Sequence, residues 1–492
     1  IAGALAAKLS DAKTEGDEPA AREAAAIAEF YAARQNAPVW FSDTGASTGA
    51  SPKTQGLIDA IQDADAYGLE ARDFALPPAD GGPDADAKAA SELKLTKAAL
   101  LYARYARGGR IMKPSEQLNS NIDRKPQLLE PKAVLDGLAA AGEPGAYLAS
   151  LHPRHPQFEK LRQAYLAARN AKDGHIPDPA KPLNASARRL RANMEMWRWM
   201  YDDMGELYVF NNIPEFMQYV YKDGKIIRAE KIVAGMVDKP SSIFSRPLKH
   251  VVLRPKWRVP ESIKVNELWP SLIRGGGLMR EYGLQLETKD GKALDWRQID
   301  WTKADIRNYE VTQPPGGKSV LGSVKFSFPS QHTIYMHDTP DKWMFRQSQR
   351  TLSHGCLRVW KPVELAEIIL DYDKGWDKAK VAELIRSGPL NNEVEIEKRV
   401  MINLVYFTAW VDDAGKLRSF ADIYGHERRV IQALDGQWDK IAKGRDHLAP
   451  PEPNFNPKSV ASSSAAQQAQ ARTKKAGQTT GDLLSDVLGF SF

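Results

Sequence analysis

With one cysteine, Cys356, in 492 residues, the chain can form neither an intramolecular disulfide framework nor a multi-cysteine metal site. No apolar run approaches the roughly 18–20 residues that a membrane-spanning helix needs. Blocks of like charge are missing as well. The 68 Lys and Arg are scattered among 62 Asp and Glu, for a net charge of +6, so the sequence carries no nucleic-acid-binding footprint. Internal repeats are also absent. What is present is the composition of a folded protein, 42% hydrophobic and 26% charged with 12 tryptophans, in a chain long enough for two or three domains.

The first half reads as helices. Residues 1–22, rich in Ala, Asp, Glu and Gly, are expected to be flexible. Ile27, Phe30, Tyr31 and Arg34 lie on one side of a helix that stops before Pro38, and Leu57, Ile61 and Ala64 predict a second ending near Gly68. Leu93, Leu95, Leu100, Leu101 and Tyr105 mark another, closed by "RGGR", and helical spacing resumes in 132–151 and 158–169. Residues 23–170 are therefore a helical domain, and 171–182, "AKDGHIPDPAKP", a linker. A single apolar stripe at Leu183, Ala187, Leu190, Met194 and Trp197 opens the second domain, residues 183–448.

Beyond Gly205 the period changes to two. Alternating strands flank Asp223–Gly224, which predicts a hairpin with a type I′ turn. Further strands are expected in "FSRPLKHVVLRPKWRVP", "SVKFSFP", "HTIYMH" and "VMINLVYFTAWV", and Pro362 fits the first turn of a helix. Residues 449–492 form a low-complexity tail that is expected to be disordered, with a last stretch, "LLSDVLGFSF", apolar enough to dock on a partner.

The chemistry concentrates in "HTIYMHDTPDKWMFRQSQRTLSHGCLRV". If "QHTIYMH" is a strand, Tyr335 and His337 share a face. Gly355 permits a tight backbone next to Cys356, as a nucleophile presented beside free N–H groups requires. A thiol attacks a carbonyl only once deprotonated, and a neighbouring imidazole can take that proton and later protonate the leaving amine. The residues point to a Cys–His acyl-transfer site, with Cys356 as nucleophile, His337 as base and Arg358 as a cationic anchor for a carboxylate. Two other readings stand beside it. A lone cysteine is often a small buried hydrophobe, and His337, His354 and Cys356 could ligate zinc, although no fourth ligand is evident. A papain-like arrangement is disfavoured, because there the histidine follows the cysteine at long range.

The segment from His337 through Ser353-His354-Gly355-Cys356 to Arg358 resembles the signature of the YkuD-type L,D-transpeptidase catalytic domain. "QPPGGKSVLGSVKFSFPS", "NMEMWRWM", "YVFNNIPEF" and "YFTAWVDDAGKLRSFADIYG" resemble flanking parts of that domain in large Gram-negative members, and "FYAARQNAPVWF" resembles their helical scaffold domain. The resemblance implies an α+β multidomain fold: an N-terminal α-helical scaffold domain, then a β-rich catalytic domain with an inserted lid or capping segment at about 259–305. It implies a periplasmic enzyme in which Cys356 attacks the third residue of a peptidoglycan tetrapeptide stem, releases D-Ala, and passes the acyl group to a second stem as a 3→3 cross-link. His337 is the implied base. Tyr335, Ser353, His354, Gly355 and Arg358 would form the pocket, with N–H groups of Gly355 and Cys356 as oxyanion hole. No metal or cofactor is implied. Implied partners are peptidoglycan stem peptides and, as covalent inhibitors, carbapenem β-lactams. The same thioester would serve an L,D-carboxypeptidase or a protein-to-peptidoglycan ligase, and a non-catalytic wall-binding protein is the reading from another class. Relatives usually carry a peptidoglycan-binding module between scaffold and catalytic domain, but here the short linker alone occupies that place. Ser330 also stands where relatives commonly have Asn.

Overall fold

The computed structural model describes residues 1–10, 18–42, 50–456 and 459–460. Within them the chain forms two compact units, neither continuous in sequence.

The first unit holds residues 1–119, 124–203 and 407–443. Helices Glu18–Ala33, Pro52–Gln62, Ala85–Gly108, Pro131–Ala140 and Pro144–Ser150 enclose one core built on Ile27, Phe30, Leu57, Ile61, Leu95 and Leu100. Three of them begin with proline, whose missing N–H costs nothing in a first helical turn. Residues 1–10 are not loose: Ala2–Ser10 is helical and buries Leu5 in the same core, so local composition was overridden by packing. The "NAPVWF" turn is held by one buried carboxylate. Glu92 accepts the backbone N–H groups of Val39 (2.6 Å), Trp40 (3.0 Å) and Phe41 (3.1 Å) and the Tyr31 hydroxyl (2.8 Å).

Helix Ala185–Trp197 buries Ala187, Leu190, Met194 and Trp197 as its stripe predicts, but it belongs to this helical unit. Residues 407–443 return to it as well, with hairpin Ala409–Val411/Leu417–Ser419 and helix His426–Leu434. Trp197 stacks on Phe407 at 4.4 Å, and the Asn193 side-chain oxygen accepts the N–H groups of Thr408 and Ala409 at 2.9 and 3.1 Å. The boundaries 183–448 for the second domain are thus corrected at both ends. These are contacts between distant segments, invisible to local periodicity.

The second unit is built on an eleven-stranded mixed sheet. Its order runs Asn392–Glu395, His250–Leu253, Val324–Ser327, Met336–His337, Leu357–Val359, Lys225–Gly235, Met217–Lys222, Leu207–Asn212, Val400–Val405, Phe244–Pro247, with Thr351–Ser353 paired beside Lys225–Gly235. Asp223 and Gly224 both have positive φ (49° and 73°), the type I′ geometry that joins two twisted strands in two residues. Helix Pro362–Lys374 starts at its proline and buries Leu365, Ala366, Ile369 and Leu370.

An insertion in this unit has a core of its own, including Leu268, Trp269, Leu272, Met279, Leu286 and Trp301. It is bounded by strands Trp257–Arg258 and Tyr309–Gln313, which pair antiparallel and join Gln285–Thr288 and Ala293–Leu294 in a four-stranded sheet. The part of the tail that is described is ordered: Phe455 meets the Trp269 ring edge-on at 5.6 Å. The "LLSDVLGFSF" stretch lies outside the described residues. Among the described residues no helix is long and apolar enough to cross a membrane.

Candidate active site

Strand pairing sets the site. Val324–Ser327, Met336–His337 and Leu357–Val359 lie side by side, with Lys325 opposite His337 and His337 opposite Arg358. The pairing of the last two is parallel, and the Leu357 N–H donates to the Tyr335 carbonyl at 3.1 Å, so Cys356 falls beside Tyr335. The strand is shorter than "QHTIYMH" predicts. Only Met336 and His337 pair as strand, and Thr333 is left-handed with φ 52°, which brings its carbonyl to 4.0 Å from the Cys356 sulphur.

The approach to Cys356 depends on glycine. Gly355 has φ 107°, which an L side chain rarely adopts, and a Cβ on its neighbour Gly235 would stand 2.9 Å from the Gly355 Cα and 2.2 Å from the Lys239 carbonyl. The Gly355 carbonyl accepts the Ser241 hydroxyl at 2.6 Å. Ser353 is buried, and its carbonyl accepts the Met236 N–H at 2.7 Å.

His337 is buried, and its Nδ1 donates to the Asp338 carbonyl at 2.5 Å, which leaves Nε2 as the acceptor. Asp338 is itself fixed, accepting from the Ser323 and Thr339 N–H groups and from Lys342. Burial, with Arg358 beside it, pulls the imidazole down to about 3, so it is neutral at rest. Burial pushes the Cys356 thiol upward, opposed by hydrogen bonds from the Tyr335 N–H and hydroxyl and by the cations Lys325 and Arg358. Trp257, at the base of the insertion, hydrogen-bonds the Tyr335 hydroxyl in turn.

At rest Cys356 thus holds its proton and His337 is neutral. One expectation concerns pH. Since the thiol lies above its ordinary value of 9.0, Cys356 alkylation by iodoacetamide should rise throughout pH 6–8.5, about tenfold per unit. A rate that is flat below pH 7 would contradict the neutral pair.

The site residues named from sequence converge on one cleft, which Tyr335, His337, Ser353, His354, Cys356 and Arg358 line together with Glu267, Leu268 and Tyr282 of the insertion. Two roles change. Arg358 is no unengaged carboxylate anchor: it is buried and bound to Asp341 (3.1 Å) and Thr339 (3.2 Å), and it acts on Cys356 and His337 through its charge. His354 points to the insertion, where Glu267 takes its Nε2 at 2.9 Å and Lys239 at 2.7 Å. Glu267 sits in a π-helical turn, Lys264–Leu268, a distortion common at functional sites. Sequence reasoning missed Glu267 and Lys325, for which only the three-strand register and the insertion's fold give a signal. Among the described residues no group of His, Cys, Asp and Glu is arranged to hold a metal, and His354 and His337 have the other partners given above.

Cys356 and the buried His337 thus share one cleft, next to two paired parallel strands and walled in part by the insertion. Residues 206–382 match the L,D-transpeptidase catalytic domain, YkuD, so the chain carries a domain of that family. Residues 25–164 match the Scaffold domain, so the chain carries that domain as well. A curated Haemophilus influenzae protein, provisionally named an L,D-transpeptidase, is 26% identical over 430 residues, 85% of this chain and 81% of its own. Among solved structures, the chain is similar to the Ldtfm–avibactam carbamoyl enzyme (12% identity, TM-score 0.20, 41% of this chain and 49% of that one). It is also similar to the catalytic domain of the E. faecium L,D-transpeptidase acylated by ertapenem (13% identity, TM-score 0.18, 41% and 99%). The chain thus spans about half the length of the first of these structures.

Proposed function

We propose that the protein is a periplasmic peptidoglycan transpeptidase that forms 3→3 cross-links through a thioester on Cys356. The observation that carries this reading is His337, neutral, buried and oriented by the Asp338 carbonyl, in the same cleft as the thiol. Nε2 takes the thiol proton as sulphur adds to the carbonyl of the third stem residue. The resulting oxyanion lies at the Gly355 and Cys356 N–H groups, where the left-handed Gly355 turns the backbone. Collapse breaks the C–N bond, and the imidazolium protonates the departing D-Ala amine. An imidazolium between Lys325 and Arg358 is a strong acid, which favours that transfer. An amine of a second stem then attacks the thioester, loses its proton to His337, and regenerates the thiol.

The aliphatic and aromatic lining from the insertion supports an acyl-enzyme shielded from water, which favours an amine acceptor over hydrolysis. Disaccharide-tetrapeptide muropeptides, incubated with the full chain and resolved by mass spectrometry, test the reading. A cross-linked dimer lacking one D-Ala is expected. Tripeptide monomer and free D-Ala alone would make the protein a carboxypeptidase, and no product at all would overturn the reading as a stand-alone enzyme.

A further inference from the structure

A second histidine cluster lies within the catalytic unit, on residues the acyl-transfer step does not use. His332 Nε2 meets the Asp123 carboxylate at 3.0 Å, and His332 Nδ1 meets His447 Nε2 at 2.6 Å. His447 Nδ1 meets the Ser120 hydroxyl at 2.9 Å. The two rings stack with centroids 4.8 Å apart, and Phe244 stacks on His332 from its own side at 5.0 Å. Arg246 closes the far end, 3.1 Å from Asp123. The His332 side chain is fully buried.

One assignment of the protons satisfies these hydrogen bonds together. Ser242 donates to Asn121 at 2.8 Å and so turns a lone pair toward His447 Nε2, 3.2 Å away. His447 Nε2 therefore carries the proton and donates to His332 Nδ1, which leaves His332 Nε2–H for Asp123 and the Ser120 O–H for His447 Nδ1. All four ring nitrogens are engaged, His447 Nε2 by both His332 and Ser242.

What this relay holds is the turn before the catalytic strand. His332 lies in the Ser330–Thr333 loop, where its N–H is bonded to the Ser330 hydroxyl at 3.3 Å. The next residue is Thr333, left-handed with φ 52° and β-branched, a costly conformation that persists only where the surroundings impose it. Its carbonyl faces the Cys356 sulphur, and the Tyr335 N–H reaches the same atom.

We propose that Asp123, His332 and His447 are positioning residues for the nucleophile: the clasp holds the Ser330–Thr333 loop in its strained form and thereby sets the Thr333 carbonyl and the Tyr335 amide against Cys356. This rests on the reading of Cys356 as the nucleophile. Burial, with His332 beside it, lowers His447 to about 4, against the opposing pull of Asp446 and Asp123, so the His447 ring is neutral near neutral pH.

The test is acylation of the full chain by ertapenem, followed by intact mass, with the maximal rate separated from the half-saturating concentration. His447→Phe keeps the stack on His332 and removes both ring nitrogens. His447→Gln supplies one donor and one acceptor in their place. The Phe variant should lose at least tenfold in maximal rate with the half-saturating concentration within threefold, and the Gln variant should recover most of that loss. A Phe variant that melts earlier but acylates at the wild-type rate would make the clasp a structural staple and overturn the proposal. So would equal losses in Phe and Gln, or the failure of both to fold. If the wild-type chain itself is not acylated, it is the reading of Cys356 that fails.

Discussion

Cys356→Ala should lose ertapenem acylation and all muropeptide turnover, by more than about 10³-fold, while its melting temperature stays within a few degrees of wild type. Ser353, the nearest hydroxyl in sequence, is buried in the strand that pairs with Lys225–Gly235, and burial holds the Tyr335 hydroxyl, bonded to Trp257, in its protonated form. His337→Gln should cost roughly 10²–10⁴-fold, the range for loss of a general base. The glutamine amide can still donate to the Asp338 carbonyl, so the strand end stays in place, but nothing at the Nε2 position can hold a proton. Intact mass and product analysis read both effects. An adduct that persists on Cys356→Ala would place the reactive group elsewhere, and a His337→Gln variant within threefold of wild type would remove the imidazole from the proton path.

The second large effect lies in the helical unit. Glu92→Ala removes the shared acceptor of the Val39, Trp40 and Phe41 N–H groups and of the Tyr31 hydroxyl, all in a site closed to solvent. An unsatisfied buried donor costs about 1–3 kcal/mol, so a loss of roughly 3–6 kcal/mol is expected for the cluster, read as a drop in the denaturation midpoint. Trp40 should report it by fluorescence, because its indole N–H is bonded to Thr96 at 3.0 Å and its carbonyl to Thr54 at 2.6 Å, and both contacts hang on the same turn. A change below 1 kcal/mol would show that water replaces the carboxylate.

The residues of the cleft were legible because they are local in sequence: Ser353-His354-Gly355-Cys356 is contiguous, and His337 precedes it on a neighbouring strand. The Asp223–Gly224 hairpin and the helix starting at Pro362 were legible for the same reason, since turn and cap preferences act within a few residues. What tunes the site was not legible. Lys325 flanks His337 only through antiparallel register, Glu267 reaches His354 only through the fold of the insertion, and Arg358 shows its commitment to Asp341 only once the loop between them is folded. The helical stripe at 187–197 was found but placed in the wrong unit, because periodicity says which face is buried and not against what.

Both units are sewn from separate stretches of chain, and this sets an order of events in folding. The helical unit needs helix His426–Leu434 and the Phe407 that stacks on Trp197. It cannot be finished by residues 1–203 alone, and stays open on that side until residues 407–443 join it. The catalytic unit in turn takes Asp123 from early in the chain and His447 from after the last scaffold helix. Neither half is a transplantable cassette. A recombination point at the obvious linker would leave each product without a piece of its own core, and the two units must be inherited, and made, as one length of chain.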